Sequence, residues 1–182
     1  MKKCGLLVPV LLVALIVHPP AGRGEENMKN RIRVTSPTFS EGASIPADHT
    51  CDGADISPPL QWSEVPPEAK SLALIVDDPD ARAGDWVHWI LYDLPPGVTQ
   101  LPAAVPATAR LSTGGTQGRT DFGATGYGGP CPPRGTHRYF FKLYALDVPL
   151  NLAPGVTKKE LLKAMQGHIL AEGQLMGKYQ RS

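Results

Sequence analysis

Three pairs of side chains, each with a spacing of two, carry the chemistry of this chain. Asp78 and Asp80 flank Pro79, Trp86 precedes His88, and His137 precedes Tyr139. Residues two apart share a face of a strand, so each pair presents itself in one direction. An imidazolium and a phenol O–H donate hydrogen bonds, as do the backbone N–H groups of Gly128 and Gly129 just before Pro130. Such donors suit a phosphate or a carboxylate. Asp78 and Asp80 then orient the imidazoles or accept from an amine. A carboxylate beside an imidazole favours the ionised form of both. Phosphate beside ammonium, as in a zwitterionic headgroup, matches that mix of signs. Pro79 fixes one backbone angle and biases Asp78 to extended geometry, which holds the carboxylates in place. Each pair also has a plainer reading: a capped turn for Asp78 and Asp80, a satisfied core histidine for His88, packing for Trp86 and Trp89.

The elements that position these groups are legible around residues 126–146, which read GYGGPCPPRGTHRYFFKLYAL. The first half must be loop, because Pro130, Pro132 and Pro133 can neither donate to a ladder nor enter a helix interior. From about His137 the composition becomes that of a strand. His137, Tyr139, Phe141 and Leu143 line one side of it, and Arg138, Phe140, Lys142 and Tyr144 the other. A binding site at the junction of rigid strand and loop is the expectation.

Elsewhere, Ile32, Val34 and Phe39 suggest a first strand broken at Ser36-Pro37. Leu60 to Trp62 is a brief second strand. The apolar run Ser71 to Val76 predicts a central strand buried on both faces. Val87 to Leu94 is another strand, followed by a long glycine-rich loop, Ser112 to Gly129. Thr157 with Glu160 forms a capping box, with Val156 and Leu161 at the staple positions, and predicts a helix that stops near Gly167. A return strand is expected from about Gln174. Short strands with one or two late helices and no βαβ rhythm predict an all-β sandwich of antiparallel sheets with peripheral helices.

The 182 residues fit one domain. Lys2 and Lys3 precede a short apolar run, Leu6 to Val17, closed by Pro19 and Pro20. The run is shorter than the roughly 20 residues of a membrane span, so it predicts a secretory signal over residues 1–24 and a periplasmic or secreted domain over 25–182. No stable membrane span is expected after its removal. That removal takes away three cations and no acid, so the net charge moves from +1 to −2. A near-neutral domain lacks the basic field that nucleic-acid binding needs. Two cysteines then remain, Cys51 and Cys131. They fit a disulfide, two reduced buried thiols, or Cys131 as a nucleophile.

Taken together, DDPDA at 77–81, WVHW at 86–89, the 126–146 stretch, CDGADISPPLQW and the tail GHILAEGQLMGKY resemble the phosphatidylethanolamine-binding protein family, also called Raf kinase inhibitor-like proteins, in its bacterial branch. The resemblance spans roughly Ile32 to Arg181. It implies a β-sandwich with peripheral helices and an anion-binding pocket at one end. It places pocket positions at Asp78, Asp80, His88, Pro130, His137 and Tyr139, with Arg82, Trp86 and Gly129 at the rim. Arg82 departs from the pattern, since a proline commonly follows DPDA, and it adds a cation there. The implied function is capture of a small anionic or phospholipid-headgroup ligand, with no cofactor, no metal and no enzymatic activity. The alternatives are a protein inhibitor of a protease or kinase acting through Ser112–Gly129, and a hydrolase using His88 or His137 as general base. Neither a G-x-S-x-G elbow nor an H-E-x-x-H helix occurs to support hydrolysis.

Overall fold

The computed structural model of the chain describes Met1 and residues 31–181, so the expected signal segment lies outside the described residues. In chain order the elements are β1 (Arg33–Thr35), β2 (Leu60–Ser63), β3 (Ser71–Asp78), β4 (Trp86–Leu94), β5 (Gln100–Leu101), β6 (Thr116–Gln117), β7 (His137–Leu146), α1 (Lys158–Met165) and β8 (Ile169–Tyr179). A single turn of 3-10 helix, Ala47–His49, precedes β2.

The strands form two antiparallel sheets, β1-β2-β5 and β6-β4-β3-β7-β8. Every residue of β3 is buried, as its continuous apolar run requires. The reason is topological: β3 lies in the middle of the larger sheet, and both faces of that sheet are covered. Leu72, Leu74 and Val76 face the small sheet and pack with Val34, Trp62, Leu101 and Phe141. Ala73 and Ile75 face the opposite way and pack with Leu161 and Met165 of α1. The helix is fixed at its start by the expected box: Thr157 accepts from Glu160 N–H, and Glu160 accepts from Thr157 N–H at 2.8 Å. It ends where Gln166 turns extended and Gly167 takes a positive φ of 82°.

Two segments differ from the sequence reading. β8 begins at Ile169, five residues before the expected Gln174, and pairs along the whole of β7 from Leu146↔Ile169 to His137↔Tyr179. Its glycines obscure the strand pattern, yet they are needed. A Cβ at Gly173 would collide with the Ile32 backbone, and one at Gly177 would meet Phe39 at 2.9 Å. The 112–129 segment is also more ordered than a plain loop, because β6 inside it pairs with β4. There Gln117 is fully buried and accepts from Trp89 Nε1 at 2.7 Å. No helix among the described residues is long and apolar enough to cross a membrane.

Candidate functional site

The ends of β3, β4 and β7 meet at one edge of the sandwich. Asp78 closes β3, Trp86 and His88 open β4, and His137 and Tyr139 open β7. Together with Ala81, Arg82, Phe122, Cys131, Pro132 and Pro133 they line a cavity of about 220 Å³.

His88 owes its direction to a slip in the ladder. Val76 pairs with Trp89 and Asp77 with Val87, so His88 has no partner on β3. An extra residue of this kind re-aims the side chains on either side of it. His88 therefore lines the cavity while Trp89 next to it lies in the core between the sheets. Its backbone, left without a β3 partner, is taken up by the loop. Gly128 N–H donates to His88 C=O at 3.0 Å, and His88 Nδ1 donates to Gly128 C=O at 2.6 Å. Val87 is tied the same way, with Asp121 N–H donating to its carbonyl and Asp121 Oδ2 accepting from its N–H. These bonds place the ring of Phe122 edge-on to His88, at 5.2 Å, and to Trp86, at 5.5 Å.

The second imidazole is held by an acid. Asp78 Oδ2 accepts from His137 Nδ1 at 2.7 Å, with side-chain exposures of 5% and 11%. The other oxygen of Asp78 accepts from Asp80 N–H at 2.8 Å, so the turn itself orients the carboxylate. Tyr139 crosses His88 edge-on at 5.1 Å. Its hydroxyl is buried and has no hydrogen-bond partner among the described residues. Burial, then the nearby Asp78 carboxylate, push this phenol above its usual pKa, so it stays a donor. Burial holds the His88 imidazole below the usual histidine value, more than its bond to Gly128 raises it.

Of the predicted positions, Asp78, His88, His137, Tyr139, Arg82 and Trp86 meet at the cavity, and Asp80, Gly129 and Pro130 do not. Asp80 turns to the outer face, where Arg138 donates to it from Nε at 2.9 Å and Nη2 at 2.7 Å. That guanidinium holds the Asp80 carboxyl down at about 2. Two acids at spacing two are split here because a turn, not a strand, carries the second one. Pro130 is buried behind the cavity wall and its carbonyl accepts from Cys51 N–H. The backbone donors expected at Gly128 and Gly129 are already committed, to His88 C=O and to Asp55 Oδ1. Cys51 and Cys131 are joined in a disulfide, which removes the Cys131 thiol as a nucleophile. Phe122 and Asp55 escape sequence reasoning, since only long-range pairing brings them here, whereas Pro132 and Pro133 belong to the loop expected to lead into the site at His137. Among the described residues no group of three His, Cys, Asp or Glu side chains is gathered as a metal site needs.

The family described as phosphatidylethanolamine-binding protein matches residues 35–180. The chain belongs to the phosphatidylethanolamine-binding protein family. A UPF0098 protein from Methanothermobacter thermautotrophicus is 54% identical over 143 residues, covering 79% of this chain and 95% of that protein. The crystal structure of CT736, a phosphatidylethanolamine-binding protein homologue from Chlamydia trachomatis, superposes with a TM-score of 0.77 at 48% identity and covers 84% of this chain and 99% of its own. YbcL of E. coli, described as a new member of the mammalian family, gives 0.76 at 34% identity, with coverages of 84% and 99%. The mainly antiparallel two-sheet fold is thus the family's fold, and the chain is a binding protein of that type.

Proposed function

We propose that the cavity captures a small phosphate-type anion, either free or as the headgroup of a phospholipid. One observation supports this best: two imidazoles and an unpaired phenol converge on one small cavity, and in both rings Nδ1 is already engaged by the protein. That leaves Nε2 of each ring as the nitrogen for a ligand. The Tyr139 hydroxyl donates. His137 donates once its ring carries the second proton, with Asp78 compensating the charge. His88, kept neutral by burial, accepts. A phosphate monoanion, with acceptor oxygens and one P–OH, matches that set. Arg82 adds a cation at the rim.

Size supports a headgroup rather than a whole lipid. The cavity of about 220 Å³ is below the roughly 300 Å³ at which pockets for drug-sized ligands begin. Acyl chains have no room in it. We read the protein as a binder rather than an enzyme, since none of the lining groups is a committed nucleophile. The disulfide supports an oxidising compartment and hence export. A second role, inhibition of a protease or kinase through the 112–129 loop, has the support of Phe122, which stands 49% exposed there. Titration of the labelled protein with inorganic phosphate and with phosphoethanolamine tests the main reading. The His88 and His137 ring signals should move together; signals that stay still at millimolar ligand rule it out.

A further inference from the structure

The peptide unit between Gly128 and Gly129 is bonded at both ends. Its carbonyl accepts from His88 Nδ1 at 2.6 Å, and its N–H donates to Asp55 Oδ1 at 2.6 Å. Carboxylate, peptide and imidazole therefore form one chain of hydrogen bonds, in which each bond polarises the next. We propose that Asp55 is a positioning residue for His88: through the Gly128–Gly129 peptide it fixes the Nδ1–H tautomer and so leaves Nε2 for the ligand. This rests on the reading of the cavity given above. It makes the two histidines parallel, His137 held by an acid directly and His88 by an acid at one remove.

Three further observations carry the assignment. Asp55 has a φ of +51°, a left-handed conformation that Asp adopts more readily than most residues with a side chain, and this bend of the turn brings its carboxylate to the peptide. Gly129 admits no side chain, since a Cβ there would meet the His49 carbonyl at 2.7 Å and Thr50 Cα at 2.8 Å as well as Asp55. The 47–56 turn is thus pressed flat against the peptide it polarises. Finally, the turn is clamped on either side of the contact. Tyr127 O–H donates to His49 C=O at 2.8 Å, and Cys51 is bridged to Cys131.

The test is nitrogen-resolved NMR of the histidine rings in the ligand-free protein, followed by titration with inorganic phosphate. The carboxylates that bear on His88 are Asp78 and Asp77 from β3 and Asp55 from the turn, and Arg82 lines the same cavity. His137, whose ring is held by Asp78 and not by Asp55, serves as the internal control. Asp55→Gly keeps the left-handed backbone accessible and removes the acceptor. His88 should then lose its single tautomer, His137 should keep its own, and phosphate affinity should fall about fivefold, one ordinary hydrogen bond. Asp55→Asn also tolerates the backbone angle and can still accept, so its His88 Nδ1–H signal should shift only partway. A His88 tautomer unmoved in both variants overturns the proposal. So does an equal disturbance of both histidines, which would mean general loosening. If Asp55→Gly does not fold, the Asp55→Asn signal decides alone. Absence of phosphate binding by the unaltered protein would sink the proposed function, while the ligand-free tautomer result would still stand or fall on its own.

Discussion

Asp77 and Asp78 are consecutive on β3 and face opposite sides of the larger sheet. Asp78 closes the cavity against His137, whereas Asp77, with no exposed surface, is paired with Lys142 at 2.8 Å and Lys158 at 2.6 Å. Lys158, from the first turn of α1, also reaches Asp85. Burial works against its ammonium, but the two carboxylates outweigh that and raise its pKa. A buried carboxylate of this kind is costly to leave without partners, and its partners are costly to leave without it.

The first prediction separates the two faces. Asp77→Ala should lower the unfolding free energy by about 3 kcal/mol while leaving phosphate binding in place. Asp78→Ala should lose most of the binding with a smaller loss of stability, because its main partner sits at the cavity wall. Urea unfolding and histidine titrations of the same samples provide both readouts. Equal loss of binding in the two variants would show that the faces are not independent.

The second prediction concerns pH. Burial places the His88 pKa below 6.5 in the folded protein. Below pH 6.5 the unfolded chain takes up a proton that the folded one refuses, so the unfolded state binds more protons in that window. Stability from this group is therefore complete above 6.5 and declines as the pH falls toward the depressed value. His88→Gln should flatten the stability profile in the window just below pH 6.5. Asp80 acts lower down, since its contribution is present above its usual 3.8 and is lost as the pH falls toward 2. Urea midpoints measured across about pH 2 to 8 in about half-unit steps resolve the two limbs. An unchanged slope in the His88 variant would contradict the burial argument.

The third prediction isolates the disulfide. Cys51 and Cys131 are 80 residues apart, so the bridge constrains a long loop of the unfolded chain. Replacing both by serine should cost about 2–4 kcal/mol. The cavity wall is also held by Tyr127 on His49 and by Gly129 on Asp55, so phosphate affinity should change little. A large loss of affinity under reducing conditions would mean that the bridge, rather than these bonds, shapes the wall.

β7 was legible because its two faces differ in composition, with His137 and Tyr139 on the buried side and Arg138 and Lys142 on the other. The central position of β3 followed from its unbroken apolar run, and the start of α1 from Thr157 and Glu160. What stayed hidden depends on pairing between distant segments. The unpaired position of His88 exists only because β3 and β4 slip by one residue. Asp80 leaves the cavity because Arg138, 58 residues away, captures it. The N–H of Gly129 is spent on Asp55, 74 residues away. Pair spacing says which groups share a strand face, but not what a partner across the sheet will claim.

The last prediction follows from the cover over His88. Phe122 is 49% exposed, yet its ring lies edge-on to both His88 and Trp86. Gly128 makes room for it, since a Cβ there would meet the ring at 2.8 Å. Phe122→Ala removes two aromatic edge contacts, worth about 0.5–1.5 kcal/mol each, from a half-exposed residue, so the fold should survive. Water then reaches His88, and because burial is the main cause of its depressed pKa, that pKa should rise toward 6.5. Two effects on binding compete. Inorganic phosphate should bind more weakly, because hydrogen bonds lose strength when the site is wetter. Phosphate esters with bulky substituents should lose less, or gain, because the mouth is wider. The ratio of phenyl phosphate to inorganic phosphate affinity, measured by calorimetry, should therefore increase in Phe122→Ala. If the ratio and the His88 pKa both stay put, Phe122 does not cover the site in solution, and the small size of the cavity ceases to argue for a headgroup.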